Sequence, residues 1–534
     1  MFGRRFITSV FLFLLLAILF PSLPSRSHTG VNVYDERVYE ALDKLAAAGY
    51  IKAYNPNQRP LTRMEIARLL SNEESDTFNY FIDVDWILDW LKDYFKEELD
   101  AISAGKTVFR PVDHLSLAYF VTDERPCEMP DNHLGSTGGM VSPLTSYMGG
   151  RRLNAYFNFY HETSHFFESD YVAWYLAPRF FYQDGRGAFE PAGGAEVGYG
   201  YLKGSYKDIE IEVGRDEVIW GPGRHGALLL TDNARPLDMV KVSTPSPFRL
   251  PWIFKHLGDF KASMLFSWLG TKYNLPNAIL SGYRIDYRPW YWMDIAFNHL
   301  LYMGGSGADD PDIGTALGEF LGFIFRAGNN RASSNHLMGF DLSIKVPAFM
   351  GTEFYVSTLM EDKNKEPELM FKHDMSYMGG VYVPFIGSEG RLGLRAEFVR
   401  TGEYAFRHSI YGSGHSLGGR FLGYDAGSDT YSFLFSGQYN FAVDELVSFD
   451  FRYLKRSSNT YRTVFRNNDL YNIEVDRPGT KEIHYIFGIG GEKRLGRRFD
   501  LLGETRLDYV KNKNFVNANS DLDFSFLLTL GARL

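Results

Sequence analysis

The sequence predicts a mainly β protein, in which a large transmembrane antiparallel β-barrel follows a small N-terminal helical module. Three observations lead to this fold class: an apolar leader, a helical pattern confined to the first hundred residues or so, and period-two alternation through the rest of the chain. The chain is also rich in aromatic residues and glycine, with 34 Tyr, 44 Phe, 8 Trp and 52 Gly among 534 residues. With no cysteine scaffold, such a leader-bearing chain is either a large secreted β-protein or a membrane barrel.

The N-terminus has the order of a secretory signal peptide. Arg4 and Arg5 precede the apolar run 6–20, and prolines and small residues follow it. The run is short for a spanning helix, which needs about 20 apolar residues. We therefore assign residues 1–28 to a signal peptide, with cleavage between Ser22 and Gly30. Cys127 is the single cysteine, so no disulfide forms within the chain.

Residues 29–110 read as a helical module on the periplasmic side of the membrane. Val38, Leu42 and Leu45 share one helical face, and Thr62 with Glu65 forms a capping box at the start of a second helix. The segment 84–99 places its aromatic residues on the face of a third helix. This module also resembles a single S-layer-homology unit, a type of unit that anchors proteins to cell-wall polymers and usually occurs in several copies. Because only one copy is visible, a simple helical plug is the preferred interpretation.

Residues 111–534 alternate as strands with one apolar and one polar face. In 392–398, for example, Arg395 and Glu397 oppose leucine, alanine and phenylalanine side chains. Strands are predicted at about 151–160, 172–182, 195–204, 207–214, 260–268, 282–288, 292–301, 336–346, 351–359, 378–384, 392–399, 431–439, 447–453, 482–492, 502–510 and 524–534. With further strands in the long gaps, the region holds roughly 17–19 strands of the ten-residue length of outer-membrane barrels.

The charges on the polar face separate a barrel from a soluble sandwich. Arg395, Glu397, Asp450, Arg452 and Glu504 recur on this face in strand after strand. In a wide barrel such residues line a wet lumen while the opposite face meets lipid, and tyrosines near the strand ends form the interfacial belts. Removing the leader removes three arginines and no acid, which changes the net charge from −9 to −12. This balance argues against a nucleic-acid partner.

One segment, 219–236, fits neither a helix nor a strand. Its sequence "IWGPGRHGALLLTDNARP" breaks the strand ladder at Gly-Pro-Gly, because proline lacks a donor and glycine adopts left-handed angles. Irregular backbone at membrane depth is tolerated where it lines or plugs a lumen. Trp220 offers a flat surface for a sugar ring, and Arg224, His225, Asn233 and Arg235 can hydrogen-bond hydroxyls or carboxylates. A turn with solvated charges is the alternative.

Two motifs resemble the Wzi-type family of capsule-assembly outer-membrane proteins. They are "GRDEVIWGPGRHGALLLTDNARP" and "YGSGHSLGGRFLGYDAGSDTYSF"; in the second, Tyr424 stands where the family often has histidine, and the chain ends in leucine instead of the phenylalanine common in barrels. The resemblance implies a barrel of about 18 strands with periplasmic helices at its inner mouth. It also implies a non-enzymatic surface lectin that helps retain or assemble capsular polysaccharide. The glycan-binding residues expected from the two motifs are Trp220, Arg224, His225, Asn233, Arg235, Arg420, Tyr424 and Asp425.

Two other motifs match patterns that metal sites and metal-dependent enzymes use. His161-Glu-Thr-Ser-His165 matches the H-E-x-x-H pattern of zinc peptidases, which use it on a helix, but here it follows a strand pattern. The acidic run Asp309, Asp310 and Asp312 has calcium-ligand chemistry, although a solvated loop is the simpler interpretation. The sequence therefore predicts no catalytic residue, metal ligand or cofactor.

The resulting prediction is an outer-membrane, lectin-like barrel whose partners are capsular or extracellular polysaccharide and outer-membrane lipid. Its helical module is a further candidate for contact with peptidoglycan, and nucleic acid is excluded as a partner. The alternative is a diffusion porin anchored to the cell wall by the S-layer-homology-like unit. Arg235 and Arg420 could also serve as internal ion-pair partners of the lumen. A secreted hydrolase would need a catalytic carboxylate pair, and none stands out among the 65 acids.

Overall fold

The computed structural model describes most of the chain after the leader. The described residues are 29–30, 36–71, 84–104, 107–123, 157–169, 171–184, 192–206, 209–271, 273–308, 313–325, 334–361, 367–387, 389–408, 410–442, 444–466, 469–496 and 498–533. The predicted signal peptide and the acidic run 309–312 lie outside them. Among the described residues, no helix has both the length and the apolar content needed to cross a membrane.

The described part of the N-terminal module contains four helices where the sequence predicted three. They are α1 (Glu36–Ala47), α2 (Arg63–Ser71), α3 (Asp85–Tyr94) and α4 (Lys96–Ala104). The predicted third helix breaks at Phe95, which is buried and whose N–H still bonds to the carbonyl of Leu91. The capping box is half formed: the Glu65 N–H donates to Thr62 Oγ1 over 3.1 Å, while the Glu65 carboxylate pairs with Lys261 of the barrel.

A closed antiparallel barrel of 18 strands follows the module. The first nine strands are β1 (Val108–Thr122), β2 (Phe157–Glu168), β3 (Val172–Gln183), β4 (Ala192–Tyr206), β5 (Ile209–Asp216), β6 (Leu237–Ser243), β7 (Asp259–Trp268), β8 (Ile279–Trp290) and β9 (Met293–Met303). The second nine are β10 (Asn335–Val346), β11 (Thr352–Glu361), β12 (Ser376–Ile386), β13 (Leu392–Arg400), β14 (Thr430–Ala442), β15 (Glu445–Ser457), β16 (Lys481–Leu495), β17 (Phe499–Lys511) and β18 (Ser520–Arg533). Pairing of β1 with β18 closes the cylinder.

Two barrel strands were missed by the sequence patterns. β1 begins at Val108, three residues before the predicted barrel start, and its register shifts between Arg110 and His114. β6 was not predicted at all, because apolar side chains occur on both of its faces. Leu237 and Met239 are buried in the lumen, while Val242 is buried on the outside.

The predicted faces are confirmed, with charged side chains inside and apolar ones outside. Arg395, Glu397 and Arg452 are buried in the lumen, whereas Phe398 and Phe449 are exposed on the outer wall. The inward charges pair with one another or with the module; Arg284 of β8, for example, pairs with Asp286 on its own strand and with Asp341 of β10, two strands away. Apolar outer walls with charged lumens are the pattern of outer-membrane barrels.

The two mouths of the barrel differ in the length of their connections. At the short-turn mouth, connections contain two to five residues, apart from 244–258. The helical module fills this mouth, where Arg37 pairs with Glu492 at 2.9 Å and Arg288 donates to the Tyr54 carbonyl. At the long-loop mouth, connections are longer and include the segments 217–236 and 401–429 and a hairpin of Thr460–Arg466 with Asp469–Arg477.

Smaller elements complete the fold. A fifth helix, α5 (Ile313–Phe325), packs against the outside of the barrel, where Phe320 stacks on Phe266 with ring centres 5.5 Å apart. Two-residue strands pair Gln58–Arg59 with Ile219–Trp220, and Ser416–Leu417 with Arg420–Phe421, while Phe248–Arg249 extends the pairing with β7. Short helical segments cover Trp252–Leu257, Pro367–Leu369, Met370–Asp374 and Lys513–Phe515.

Candidate functional site

The two motif segments singled out by the sequence meet inside the barrel. We name residues 217–236 the first plug loop and residues 401–429 the second plug loop. The first contacts the helical module at one side, since the Gly221 N–H donates to the Asn57 carbonyl over 2.9 Å. It contacts the second plug loop at the other side, since the Thr231 N–H donates to the Leu422 carbonyl over 2.7 Å. Module and loops together occupy the lumen.

The Gly-Pro-Gly turn lets the first plug loop leave the wall and reverse within the lumen. Gly221 has φ of +141°, and a Cβ there would lie 2.9 Å from that of Ala227. Trp220 immediately before it is 1% exposed and packs in an apolar cluster with residues such as Leu228 and Leu230. The indole predicted to stack on a sugar ring therefore lies in the core of the plug.

Arg224 joins the first plug loop to the helical module. Its Nη2 donates to Asp43 Oδ1 over 2.8 Å and its Nε to Asp43 Oδ2 over 2.9 Å, a two-pronged ion pair. Burial opposes ionisation of Asp43, but Arg224, Arg395 and Arg59 together outweigh it, so the Asp43 pKa is lowered. Tyr54 donates a further bond to Asp43 over 2.9 Å. Arg224 thus holds the plug to α1.

Asn233 joins the two plug loops. Its Nδ2 donates to the Phe421 carbonyl over 3.0 Å, and Thr231 Oγ1 donates to the Gly423 carbonyl over 3.1 Å. Gly423 permits this close approach, because a Cβ there would lie 2.3 Å from the Leu228 carbonyl oxygen. Polar side chains near the end of the first motif therefore bond to backbone carbonyls of the second motif.

Tyr424 and Asp425 join the second plug loop to the barrel wall. Arg452 of β15 donates to both carboxylate oxygens of Asp425 over 2.7 Å and to the Tyr424 hydroxyl over 2.9 Å. All three side chains are buried. The second motif therefore supplies an acid that neutralises a lumen arginine.

His415 of the second plug loop bonds to the first plug loop and to the barrel wall. The sequence patterns do not predict this role. Its Nε2 donates to the Leu229 carbonyl over 2.5 Å, so its Nδ1 accepts from the hydroxyl of Tyr302 on β9, also over 2.5 Å. Burial lowers the pKa of His415 to about 4, although the bond to Leu229 opposes this shift. The imidazole is thus neutral near neutral pH.

The remaining predicted residues differ in exposure. His225 is half-buried and lies 3.2 Å from Ser436 Oγ of β14. Arg420 is buried in the short pairing with Leu417. Arg235 is about a third exposed and lies 3.3 Å from Asp238 at the top of β6. Among the eight predicted residues, Arg235 is therefore the most accessible charged side chain at the long-loop mouth.

A cavity remains where the plug meets the wall. Its volume is 190 Å³, and its lining includes Asp43, Arg224 and His225 as well as the wall residues Arg395 and Asp450. The lining is predominantly polar and charged. It lies between the helical module, the first plug loop and the barrel wall.

Aromatic residues at the long-loop mouth were missed from the sequence. Tyr404 of the second plug loop packs against Tyr461 of the hairpin, with ring centres 6.1 Å apart, and both are half-buried. The Tyr461 hydroxyl donates to Asp429, and Arg462 on the same hairpin is largely exposed. Alternation among the hairpin residues is a usable signal, but the sequence predicts no bounded strand between 453 and 482.

The H-E-x-x-H motif lies within β2, as its strand context predicted. His161 and His165 face outward, while Glu162 points into the lumen and pairs with Arg179 at 2.7 Å. A strand thus places the acid on the face opposite both histidines, unlike the helix of zinc peptidases. Across the part of the chain that the structure describes, no group of three or more His, Cys, Asp or Glu side chains is arranged to hold a metal ion.

Comparisons with known proteins agree with this architecture. The family model for the capsule assembly protein Wzi matches residues 133–522. A solved structure of Wzi, an outer membrane protein involved in group 1 capsule assembly in Escherichia coli and a carbohydrate-binding β-barrel, is 16% identical, with a TM-score of 0.66. The match covers 95% of this chain and 99% of that one. At 16% sequence identity, this similarity shows that the two proteins share a fold.

A second relative is named for a cps region. An uncharacterized 55.8 kDa protein in the cps region of Klebsiella pneumoniae is 23% identical over 177 residues, which is 32% of this chain and 34% of that protein. The matched part thus spans about a third of this relative. Since the family model covers most of the chain and the 18-stranded barrel has an apolar outer wall, the protein is an outer-membrane β-barrel that belongs to the Wzi family of capsule assembly proteins.

Proposed function

We propose that this protein is a non-enzymatic, lectin-like barrel that retains or assembles capsular polysaccharide at the cell surface. One observation carries the proposal: in a member of a capsule assembly family, the lumen is filled by a helical module and two plug loops that bond to each other. A barrel filled in this way offers a fixed binding surface. The diffusion porin, the alternative from sequence, needs an open lumen and is disfavoured.

The orientation in the membrane follows from the two mouths. Outer-membrane barrels have short periplasmic turns and longer extracellular loops. We place the short-turn mouth and the helical module in the periplasm and the long-loop mouth outside. In this orientation the module lies on the same side of the membrane as peptidoglycan. Contact between the two stays a prediction.

The eight predicted residues divide into two roles under this proposal. Trp220, Arg224, Asn233, Tyr424 and Asp425 act mainly as positioning residues, because their side chains are committed to contacts within the plug. Their part in glycan binding is to fix the shape of the outer surface, and His225 at the internal cavity belongs with them.

Direct contacts are assigned to the long-loop mouth. Of the two remaining motif arginines, Arg235 is about a third exposed whereas Arg420 is buried, and the half-buried Tyr404 and Tyr461 supply aromatic faces at the same mouth. Arginine bonds sugar hydroxyls and carboxylates, while aromatic rings pack on the apolar faces of sugar rings. Each contact is weak, and a repeating polymer multiplies it through avidity.

The test is direct binding of polysaccharide prepared from the same cells to the protein in lipid nanodiscs. Arg235→Gln and Tyr461→Ala should each weaken binding several-fold, more than tenfold in combination. Arg391→Gln is the matched control, because Arg391 is an exposed arginine at the opposite mouth, paired with Glu389. If wild type does not bind the polysaccharide, or all variants bind equally, the lectin assignment is wrong.

A further inference from the structure

A cavity opens on the outer wall of the barrel near the long-loop mouth. Its volume is 620 Å³, within the range of about 300–1,000 Å³ typical of small-molecule sites. It lies over β6, β7 and β8, apart from the plug. The lining residues are Asp238, Met239, Val240, Phe266, Ser267, Trp268, Asn277, Ile279, Gly305 and Ser306.

The register of the strands shows that this cavity faces outward. Val240 pairs with Phe266 and Trp268 pairs with Ile279, so these four side chains share one face of the sheet. The opposite face at the same positions carries Leu265 and Leu280, which are buried in the lumen. The cavity is therefore an apolar recess in the lipid-facing wall.

Polar groups border the recess on its long-loop side. Arg215 donates to both oxygens of Asp238, over 2.7 and 2.9 Å, and Arg235 lies 3.3 Å from the same carboxylate. Two guanidinium groups thus share one acid, and Arg215 Nη1 also donates to the Val197 carbonyl over 2.9 Å. Asn277 accepts a bond from the Trp268 indole, which is 50% exposed. Tryptophan at such a height is typical of the membrane interface.

We propose that this recess binds a phosphorylated lipid of the outer leaflet. One acyl chain fills the space between Val240, Phe266 and Trp268, and the phosphate lies at Arg215, whose planar group suits phosphate oxygens. The lipid is assigned to the outer leaflet because the recess is near the long-loop mouth, and this step rests on the orientation given under the proposed function. The recess continues the lipid-facing wall, and α5 borders it through the contact of Phe320 with Phe266.

The site can be tested by native mass spectrometry of the detergent-solubilised protein. Lipid A, phosphatidylglycerol and phosphatidylethanolamine are added in separate samples, and bound lipid per chain is counted. The wild type should retain one lipid A most strongly. Val240→Trp, which fills the recess, should abolish this retention. Val213→Trp is the matched control, since Val213 is an outward valine on the neighbouring strand and is absent from the lining.

The charge at the border is tested separately. Arg215→Gln should lower lipid A retention about tenfold, as expected for one charge-assisted hydrogen bond. Stronger retention of phosphatidylglycerol than of lipid A would overturn the outer-leaflet assignment. Equal retention of all three lipids, or equal loss in Val240→Trp and Val213→Trp, would overturn the site. Loss of polysaccharide binding with lipid A retention intact would refute the proposed function alone.

Discussion

The motif residues act through one another because the plug brings distant parts of the chain into contact. Asp43 and Arg224 are 181 positions apart, yet they form a buried two-pronged pair. Removing one partner of a buried pair leaves the other charge uncompensated, which costs about 3–5 kcal/mol. The shape of the plug therefore depends on single side chains, and their substitution is the sharpest probe of it.

Asp43→Asn should loosen the first plug loop without unfolding the barrel. We expect amide hydrogen exchange across 219–236 to accelerate by an amount corresponding to about 3 kcal/mol or more. Lys493→Gln is a control, because Lys493 and Glu445 form an exposed pair worth at most about 1 kcal/mol. Equal exchange in the two variants would show that the Arg224 pair does not hold the loop.

Acid should release the contact made by His415. The folded pKa of about 4 lies below the ordinary value of 6.5, so the unfolded loop binds the proton first. This contribution to stability is therefore complete above pH 6.5 and is lost progressively as the pH falls towards 4, by a total on the order of 3 kcal/mol.

The measurement is hydrogen exchange of the plug loops at pH values between 7 and 4.5, corrected for the intrinsic rates. His415→Gln keeps a donor and an acceptor but does not titrate, so its loops should show a weaker pH dependence. The same pH dependence in the variant as in wild type would exclude His415 as the source.

At the scale of elements, the two plug loops fit together because glycine removes a side chain where they cross. A Cβ on Gly423 would lie 2.3 Å from the Leu228 carbonyl oxygen. Gly423→Ala should separate the loops at a cost of about 1–3 kcal/mol, and limited proteolysis in 217–236 should accelerate. Gly503→Ala meets nothing within 4 Å and should leave proteolysis unchanged. Resistant loops in Gly423→Ala would contradict this packing.

Most strands were predictable from alternation, and the exceptions have physical causes. β6 failed because its inward Leu237 and Met239 pack on the apolar plug, while its outward Val240 and Val242 meet the lipid recess and α5. Alternation fails where both faces are apolar. The hairpin 460–477 and α5 lie in long connections, for which further strands are predicted without bounds.

The site was predictable in part. Both motif segments were identified from their glycines and their irregular composition, and both lie in the plug. What no local pattern contains is the partner. Trp220 looks like a sugar platform in isolation, but the first plug loop reverses after it and places it against Leu228 and Leu230. Side chains suited to bonding sugars are equally suited to bonding a loop, so residue type alone could not separate the two roles.

At the scale of the whole molecule, the filled lumen predicts that the barrel does not conduct ions. In planar bilayers the wild type should show no steady open conductance. A chain that lacks residues 36–104 and has both plug loops shortened should conduct, because the charged wall would then enclose water. Steady conductance of the wild type would restore the porin alternative.

The central claim is that this barrel keeps polysaccharide on the cell. The most direct measurement compares cell-attached with shed polysaccharide after deletion of the gene and after complementation with wild type or with Arg235→Gln/Tyr461→Ala. We predict that deletion moves polysaccharide into the medium and that wild type restores attachment. The double variant, folded and present in the outer membrane, should not restore it. Unchanged attachment in the deletion strain would contradict the central claim.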